Sequence, residues 1–416
     1  MRNLHIVILV LLAIPEAHSQ VSLSLEECYA RAEENYPLIR QRDLIRRTSA
    51  ATLENVSRGS WPQVSIGGQA TYQSDVTRIP LEMPGVVPLS KDQYRVYAEV
   101  SQTVYHGGMV GIQKQNENIG AAVDNQKLSV ELYQIKDRIN DLYFGILLLQ
   151  EQAAQTELIK SDLMAALVKA EASVKHGTAL PSAVDALRAE LLKTDQRMVE
   201  MNSAEESYRD VLGAFINASL QRNTIFEKPH FDLQNSGMSR PELKLFDLQR
   251  SGLETQYRML AARKKPRFDL FVQGGYGRPA LNMLENDFKL YALGGIRLSW
   301  LLSGYYTGRN EKQVLALRQE SLQVQRESFA FNTGLTISQH ESGIDKFKNL
   351  MALDEQIISL RRKIRETAAV QLEQGVITSA DFIREVNAED QAKQNRVLHE
   401  IQWLMAQAKY MFASGN

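Results

Sequence analysis

The sequence predicts a mainly α-helical chain with a membrane β-barrel portion and an internal two-fold repeat, four strands per chain, built to be shared between copies. Three observations carry that prediction. Four short segments alternate apolar and polar residues with period two, proline-free stretches run far beyond an ordinary domain helix, and the order helix, strand, strand, long helix, helix occurs twice.

The first residues read as a secretory signal. Met1-Arg2-Asn3 precedes an apolar run from Leu4 to Ile14, and Ala17-His18-Ser19 places small residues at −3 and −1 of a cut before Gln20. The run is too short for the ~20 apolar residues that an uncleaved anchor needs. Cys28 follows Ser24-Leu25-Glu26-Glu27 and not the small and apolar residues that precede a lipid-attachment cysteine, so it reads as a helix-face residue. As the single cysteine it forms no internal disulfide.

An exported chain without a later long apolar stretch can span a membrane only as a closed β-barrel. In all four alternating segments the apolar residues fall on even numbers. Val64, Ile66, Gly68, Ala70 and Tyr72 form the first set, and Tyr94, Val96, Ala98, Val100 and Val104 the second, which Tyr97 and Gln102 interrupt. Phe268, Leu270, Val272, Gly274 and Tyr276 form the third, and Phe288, Leu290, Ala292, Ile296, Leu298 and Trp300 the fourth. Each is about the ~10 residues of a tilted membrane strand. Aromatic residues mark the ends as interfacial girdles do: Tyr72, Tyr94, Tyr276 and Phe288 toward the connecting loops, Trp61, Phe268 and Trp300 at the other end. Alternation alone would also describe a half-buried soluble sheet. The odd positions, among them Gln63, Ser65, Gln69, Glu99, Asp269 and Arg297, are expected to line a polar lumen.

The rest reads as long helix. Leu132, Ile135, Ile139, Leu142, Ile146 and Leu149 keep the 3,4 spacing of a coiled-coil seam, Ile337, Ile344, Met351 and Ile358 recur every seven residues, and Val397, Ile401, Leu404, Ala408 and Met411 resume the rhythm. The stretch from Gly111 to Lys175 would make a helix of ~100 Å at 1.5 Å per residue. Gly177 and Gly375 interrupt these seams and are expected to turn each long helix back on an antiparallel partner.

Pro37 and Pro241, like Pro62 and Pro266, stand 204 residues apart, whereas Gln102 and Trp300, like Gly177 and Gly375, stand 198 apart. The difference falls between the paired strands, where the connection near Ser74 to Gln93, with Pro80, Pro84 and Pro88, outlasts that near Gly277 to Asn286. The organisation is therefore a signal peptide over 1–19, a first repeat over 20–220, a linker over 221–239 and a second repeat over 240–416. Four strands cannot close on themselves, since the smallest membrane barrels have about eight. Two, three or four copies must share one barrel.

Charge and motifs exclude much else. Lys+Arg (48) and Asp+Glu (49) nearly cancel, which gives no basic surplus for nucleic acid. Gly107-Gly108-Met109-Val110-Gly111 follows an alternating strand without a βαβ unit, so it is a turn and not a dinucleotide loop. The seven histidines show no metal-ligand spacing, and no triad or phosphate loop occurs, so no active site, metal site or cofactor site is expected. A periplasmic coiled-coil scaffold is the competing class; it explains the heptads but not the strands.

From Leu23 to Met411 the chain resembles the TolC-type outer-membrane efflux proteins. The resemblance is carried by Asn35-Tyr36-Pro37-Leu38, Arg240-Pro241-Glu242-Leu243, Val104-Tyr105-His106-Gly107-Gly108, and the two breaks Gly177-Thr178-Ala179-Leu180-Pro181-Ser182-Ala183-Val184-Asp185 and Gly375-Val376-Ile377-Thr378-Ser379-Ala380-Asp381. It implies a homotrimer, a twelve-stranded barrel in outer-membrane lipid, and an α-helical barrel reaching across the periplasm to an adaptor (membrane fusion) protein and an inner-membrane pump. The duct would export drugs, metal ions or proteins in a tripartite efflux or type I secretion system. The resemblance places adaptor contacts at the tip, on Gly177, Thr178, Pro181, Asp185, Gly375, Val376 and Thr378, and a carboxylate ring at Asp381 that narrows the pore. Where the family often has a further aspartate this chain has Arg384, which would partly neutralise that ring through an i, i+3 pair. A helix-start acid favoured by the dipole would leave the same sequence trace at Asp381.

Overall fold

A computed structural model describes residues 22–77, 88–233 and 237–415. The expected signal peptide lies outside the described residues, as do Pro80 and Pro84 of the first strand connection. The elements are β1 (Ser22–Leu23), α1 (Leu25–Asn35), a 3-10 turn (Pro37–Arg40), α2 (Gln41–Arg58), β2 (Gln63–Tyr72), β3 (Asp92–Tyr105), α3 (Met109–Lys175) and α4 (Pro181–Ile216), then β4 (Ile225–Phe226), α5 (Pro241–Arg263), β5 (Arg267–Arg278), β6 (Lys289–Ser299), α6 (Gly304–Glu373) and α7 (Ser379–Ser414). Ser24 caps α1 by accepting from the Glu27 N–H at 3.2 Å. Pro37 ends it, because the residue before a proline is pushed out of the helical region and Tyr36 is extended at ψ 131°. α3 and α6 run uninterrupted for 67 and 70 residues, with no proline in either.

The chain divides into two compact units, each taking segments from both sequence repeats. The first holds the described residues of Met1–Ile39, Leu132–Met238 and Gly334–Asn416. Its most deeply buried side chains include Tyr143, Leu23, Leu25, Ile139, Phe144, Ile146, Leu212 and Ile216, all under 3% exposed, and the Tyr143 ring packs edge-on against Phe144 and Phe226. The Tyr143 hydroxyl reaches the carbonyls of Leu23 and Glu227 at 2.7 and 2.8 Å, fastening the parallel β1–β4 pair. Arg209, 2% exposed, donates to the carbonyls of Gln221, Arg222 and Thr224. The segment expected as a linker is thus tied down over its first half and contains β4. A second cluster joins Ile159, Leu163, Leu187, Ala368, Phe382 and Val386 from α3, α4, α6 and α7.

The seams read from sequence are buried in part, with Leu142, Leu149, Ile337, Ile344, Met351, Val397 and Met411 only half-buried. Leu132, Ile135, Ile139 and Ile146 are buried, and so are Ile358, Ile401, Leu404 and Ala408. The buried stripe on α3 is broader than a two-helix seam, for it takes in Tyr143, Phe144 and Leu147 as well.

The second unit comprises Arg40–Glu131 and Ser239–Thr333. Its four strands form one antiparallel sheet in the order β2-β3-β5-β6. Arg240 and Glu242 form a buried two-point ion pair at 3.0 and 2.5 Å beside the first turn of α5, where Gln126 caps the Pro241 carbonyl at 2.8 Å.

Candidate functional site

The sheet register fixes which side chains share a face. Val64, Val100, Val272 and Gly294 form one even-numbered cross-strand row, and Ile66, Ala98, Gly274 and Ala292 the next. This face is apolar and uncovered: Ile66 is 80% exposed, Leu290 83%, Val272 64% and Ile296 71%. A water-facing sheet would not present so large a continuous apolar surface.

The odd-numbered face is partly covered along β3 and β5, open over much of β2 and β6, and carries paired charge. Arg297 on β6 reaches over β5 to Glu99 on β3 with two hydrogen bonds, 3.0 and 3.1 Å, while its guanidinium lies 4.5 Å from the Phe271 ring centroid. Asp269 accepts from Thr103 at 2.6 Å and from Arg267 at 2.8 Å. Gln63, Ser65 and Gln69 share this face. Such a surface tolerates water and solutes without leaving isolated charges.

The even-odd rule fails once. The register slips between Thr103 and Tyr105, so that Tyr105, an odd residue, partners Phe268 on the apolar face with ring centroids 6.2 Å apart. A β-bulge adds one residue to one strand, and no pattern of alternation reveals which of two adjacent apolar residues absorbs it.

The aromatic residues singled out by sequence lie at the two ends of the strands. Tyr94 and Tyr276 both stack on Phe288, with centroids 6.3 and 5.5 Å away, and the Arg278 guanidinium stands over Tyr94 and Phe288. Tyr72, 79% exposed, closes β2 at the same end. At the opposite end the Trp300 indole donates to the Lys264 carbonyl at 3.0 Å, and Arg58 stacks on Trp61. Arg278 is not visible from sequence, and Tyr105 is visible only as part of the glycine turn, because their places on the sheet depend on cross-strand register.

In the first unit, the two helix turns have the same geometry. Gly177 and Gly375 adopt φ of +74° and +71°. The Gly177 N–H donates to Val174 O and the Thr178 N–H to Ser173 O; the Gly375 and Val376 N–H groups donate to Leu372 O and Gln371 O in the same way. Both are Schellman caps, which need a left-handed residue that glycine supplies. Three residues past each glycine a new helix starts, from Leu180 with Pro181 at its first position and from Thr378. Asp185 and Val376 are exposed. A cavity of about 480 Å³ is lined by residues of both turns, among them Ala166, Lys169, Thr178, Gly375, Ser379 and Phe382. Lys169 and Glu373 form an ion pair across it at 2.5 Å.

Asp381 is the third residue of α7 and completes a capping box. It accepts from the Thr378 hydroxyl at 2.7 Å and N–H at 3.2 Å, and its own N–H donates to the Thr378 hydroxyl. Arg384 donates to it at 3.1 Å. These contacts, the Thr378 hydroxyl foremost, hold its carboxyl below the usual carboxylate range. The corresponding position in the first turn is Ala183, so only one of the two turns presents a carboxylate there.

Deeper in the same four-helix region, Glu389 is 2% exposed and is met by Arg365, by Arg362 at 3.9 Å and by Lys393 at 2.9 Å. Its partners come from two helices, which hid it from sequence reading.

No family model and no curated protein sequence matches the chain. Solved structures do. VceC, an outer membrane protein of Vibrio cholerae, superposes with TM-score 0.68 at 12% identity, covering 94% of this chain and 96% of that one. The open state of the Neisseria gonorrhoeae MtrE outer membrane channel gives 0.67 at 13% identity, covering 94% and 89%. The Campylobacter jejuni CmeC outer membrane channel gives 0.65 at 12% identity, covering 94% and 85%. The fold of this chain is that of these outer-membrane proteins.

Proposed function

We propose that the chain belongs to the TolC-type family and is the subunit of an outer-membrane export channel, a passive duct without an active site that extends into the periplasm. The observation that carries this reading is the open four-stranded sheet, apolar on one face and charge-paired on the other. In hydrocarbon an unclosed sheet edge leaves backbone groups unpaired at several kcal/mol each, so the edges β2 and β6 require neighbouring copies. Three copies give a twelve-stranded barrel, and the fold shared with the solved channels supports that number. A periplasmic coiled-coil scaffold would have no use for the exposed apolar face.

The finer reading follows the family resemblance. The turns at Gly177, Thr178, Pro181, Asp185, Gly375, Val376 and Thr378 contact a periplasmic adaptor protein, and an inner-membrane pump drives export. Asp381, drawn to Arg384, forms a partly neutralised ring that narrows the duct. Fractionation followed by planar-bilayer recording tests the proposal. The protein is expected in outer membranes and, once purified in detergent, should open ion-conducting pores. Recovery in the soluble periplasmic fraction without pore activity would leave the scaffold reading instead.

A further inference from the structure

One row of the odd-numbered face alternates glycine and tyrosine over all four strands: Gly67, Tyr97, Gly275 and Tyr291 are register partners in that order. A Cβ on Gly67 would fall 2.7 Å from Cζ and 2.8 Å from the hydroxyl oxygen of Tyr97, and one on Gly275 would fall 2.5 and 2.6 Å from the same atoms of Tyr291. The far end of each ring therefore lies over the bare backbone of the preceding strand, and both lean the same way around the sheet. Aromatic side chains laid over cross-strand glycines cover exposed backbone and pin register. The even-face glycine Gly68 has no such cover, its nearest atom being the Arg95 carbonyl oxygen at 3.8 Å.

We propose that Tyr97 and Tyr291 pave the lumen of the assembled barrel and that Gly67 and Gly275 hold them against its wall, so that this row sets the size of solute the barrel passes. The inference rests on the proposed channel function, with the odd face turned inward. In a trimer six tyrosines, each on a glycine of its own chain, face the lumen. With alanine at the glycines the rings cannot remain in these positions. Along their own strands Arg95 and Glu99 flank Tyr97, and Lys289 and Leu293 flank Tyr291, on the same face. The direction left open is into the lumen, where a raised ring obstructs large solutes before small ones.

The test reads access directly. Ser65 sits one row beyond the tyrosine row as counted from the β2–β3 connection, and Cys28 is fully buried, so Ser65→Cys supplies a thiol that outside reagents meet only after passing the row. Intact cells carrying Ser65→Cys are treated with a small charged methanethiosulfonate and with a bulky polyethylene-glycol maleimide, with Ser74→Cys in the connection as a control. Both reagents are expected to label Ser65→Cys. Adding Gly67→Ala and Gly275→Ala should slow the bulky reagent several-fold and spare the small one, and further adding Tyr97→Ala and Tyr291→Ala should restore the bulky rate. An unchanged bulky rate in correctly assembled glycine variants overturns the proposal. Should those variants not assemble, Tyr97→Ala with Tyr291→Ala alone must accelerate the bulky reagent, and an unchanged rate overturns it equally. Failure of the channel reading looks different: Ser74→Cys reacts while neither reagent reaches Ser65→Cys. Labelling of Ile66→Cys in place of Ser65→Cys would mean the faces are reversed.

Discussion

Val272 and Gln273 are adjacent at the middle of β5, as the sixth and seventh of its 12 residues, yet they point to opposite faces of the sheet. Arginine at Val272 enters a row of Val64, Val100 and Gly294, which contains no acceptor side chain, on the face proposed to meet lipid. A cation at the bilayer midplane on that face costs about 2–4 kcal/mol, which is roughly 30- to 900-fold in the assembly equilibrium for each chain. Arginine at Gln273 instead joins a row with Glu99 and faces water, so it should change the midpoint little. Leu270→Arg lies closer to the Phe268 end and should fall between the two. Urea titration of the oligomer in lipid vesicles, followed on gels that preserve the trimer, measures all three. Equal losses for Val272→Arg and Gln273→Arg would refute the assignment of faces and the membrane placement with it.

Further outcomes follow from the helical unit. Because its folded-state contacts hold Asp381 below the ordinary carboxylate range, its stabilising contribution is fully present above the unfolded value of about 4 and is lost as pH falls through the folded value. Asp381→Ala should accordingly be less stable than the wild type at pH 7, with the gap closing in acid, as thermal melts across pH would show; Thr378→Ala should lose about 1 kcal/mol at neutral pH. In single-channel recordings at low salt, where screening is least, Asp381→Ala should weaken block by multivalent cations and Arg384→Ala should strengthen it; if neither variant changes block, Asp381 is a capping residue and nothing more. Glu389→Ala should destabilise by about 3 kcal/mol, the lower end for breaking a buried pair because its cations reach solvent, and a chemical melt showing under 1 kcal/mol would contradict the burial argument.

What the sequence disclosed was whatever repeats at short range. A sheet with one apolar and one polar face forces alternation, so Val64, Ile66, Val272 and Leu290 are legible one residue at a time. The glycine turns were legible because a left-handed cap has one preferred residue and each begins a helix at the same spacing. Register was not legible. Tyr97 looked like a defect in alternation, and only its position opposite Gly67 and Gly275 gives it a place. The slip at Tyr105 stayed hidden because Val104 and Tyr105 are both apolar, and β1 and β4, two residues each, carry no pattern to read. Glu389 and Arg209 were silent because their partners are brought to them by tertiary folding. Asp381 reads the same as a cap or as a ring; its capping contacts are visible in the chain, while a ring needs the other copies.

In the proposed assembly this sheet is closed by copies of the same chain within a membrane. Native mass spectrometry of protein extracted from the outer-membrane fraction in mild detergent tests it most directly. A single species of three chains that persists at the lowest concentration measured is expected. A stable monomer that still conducts ions in planar bilayers would contradict it.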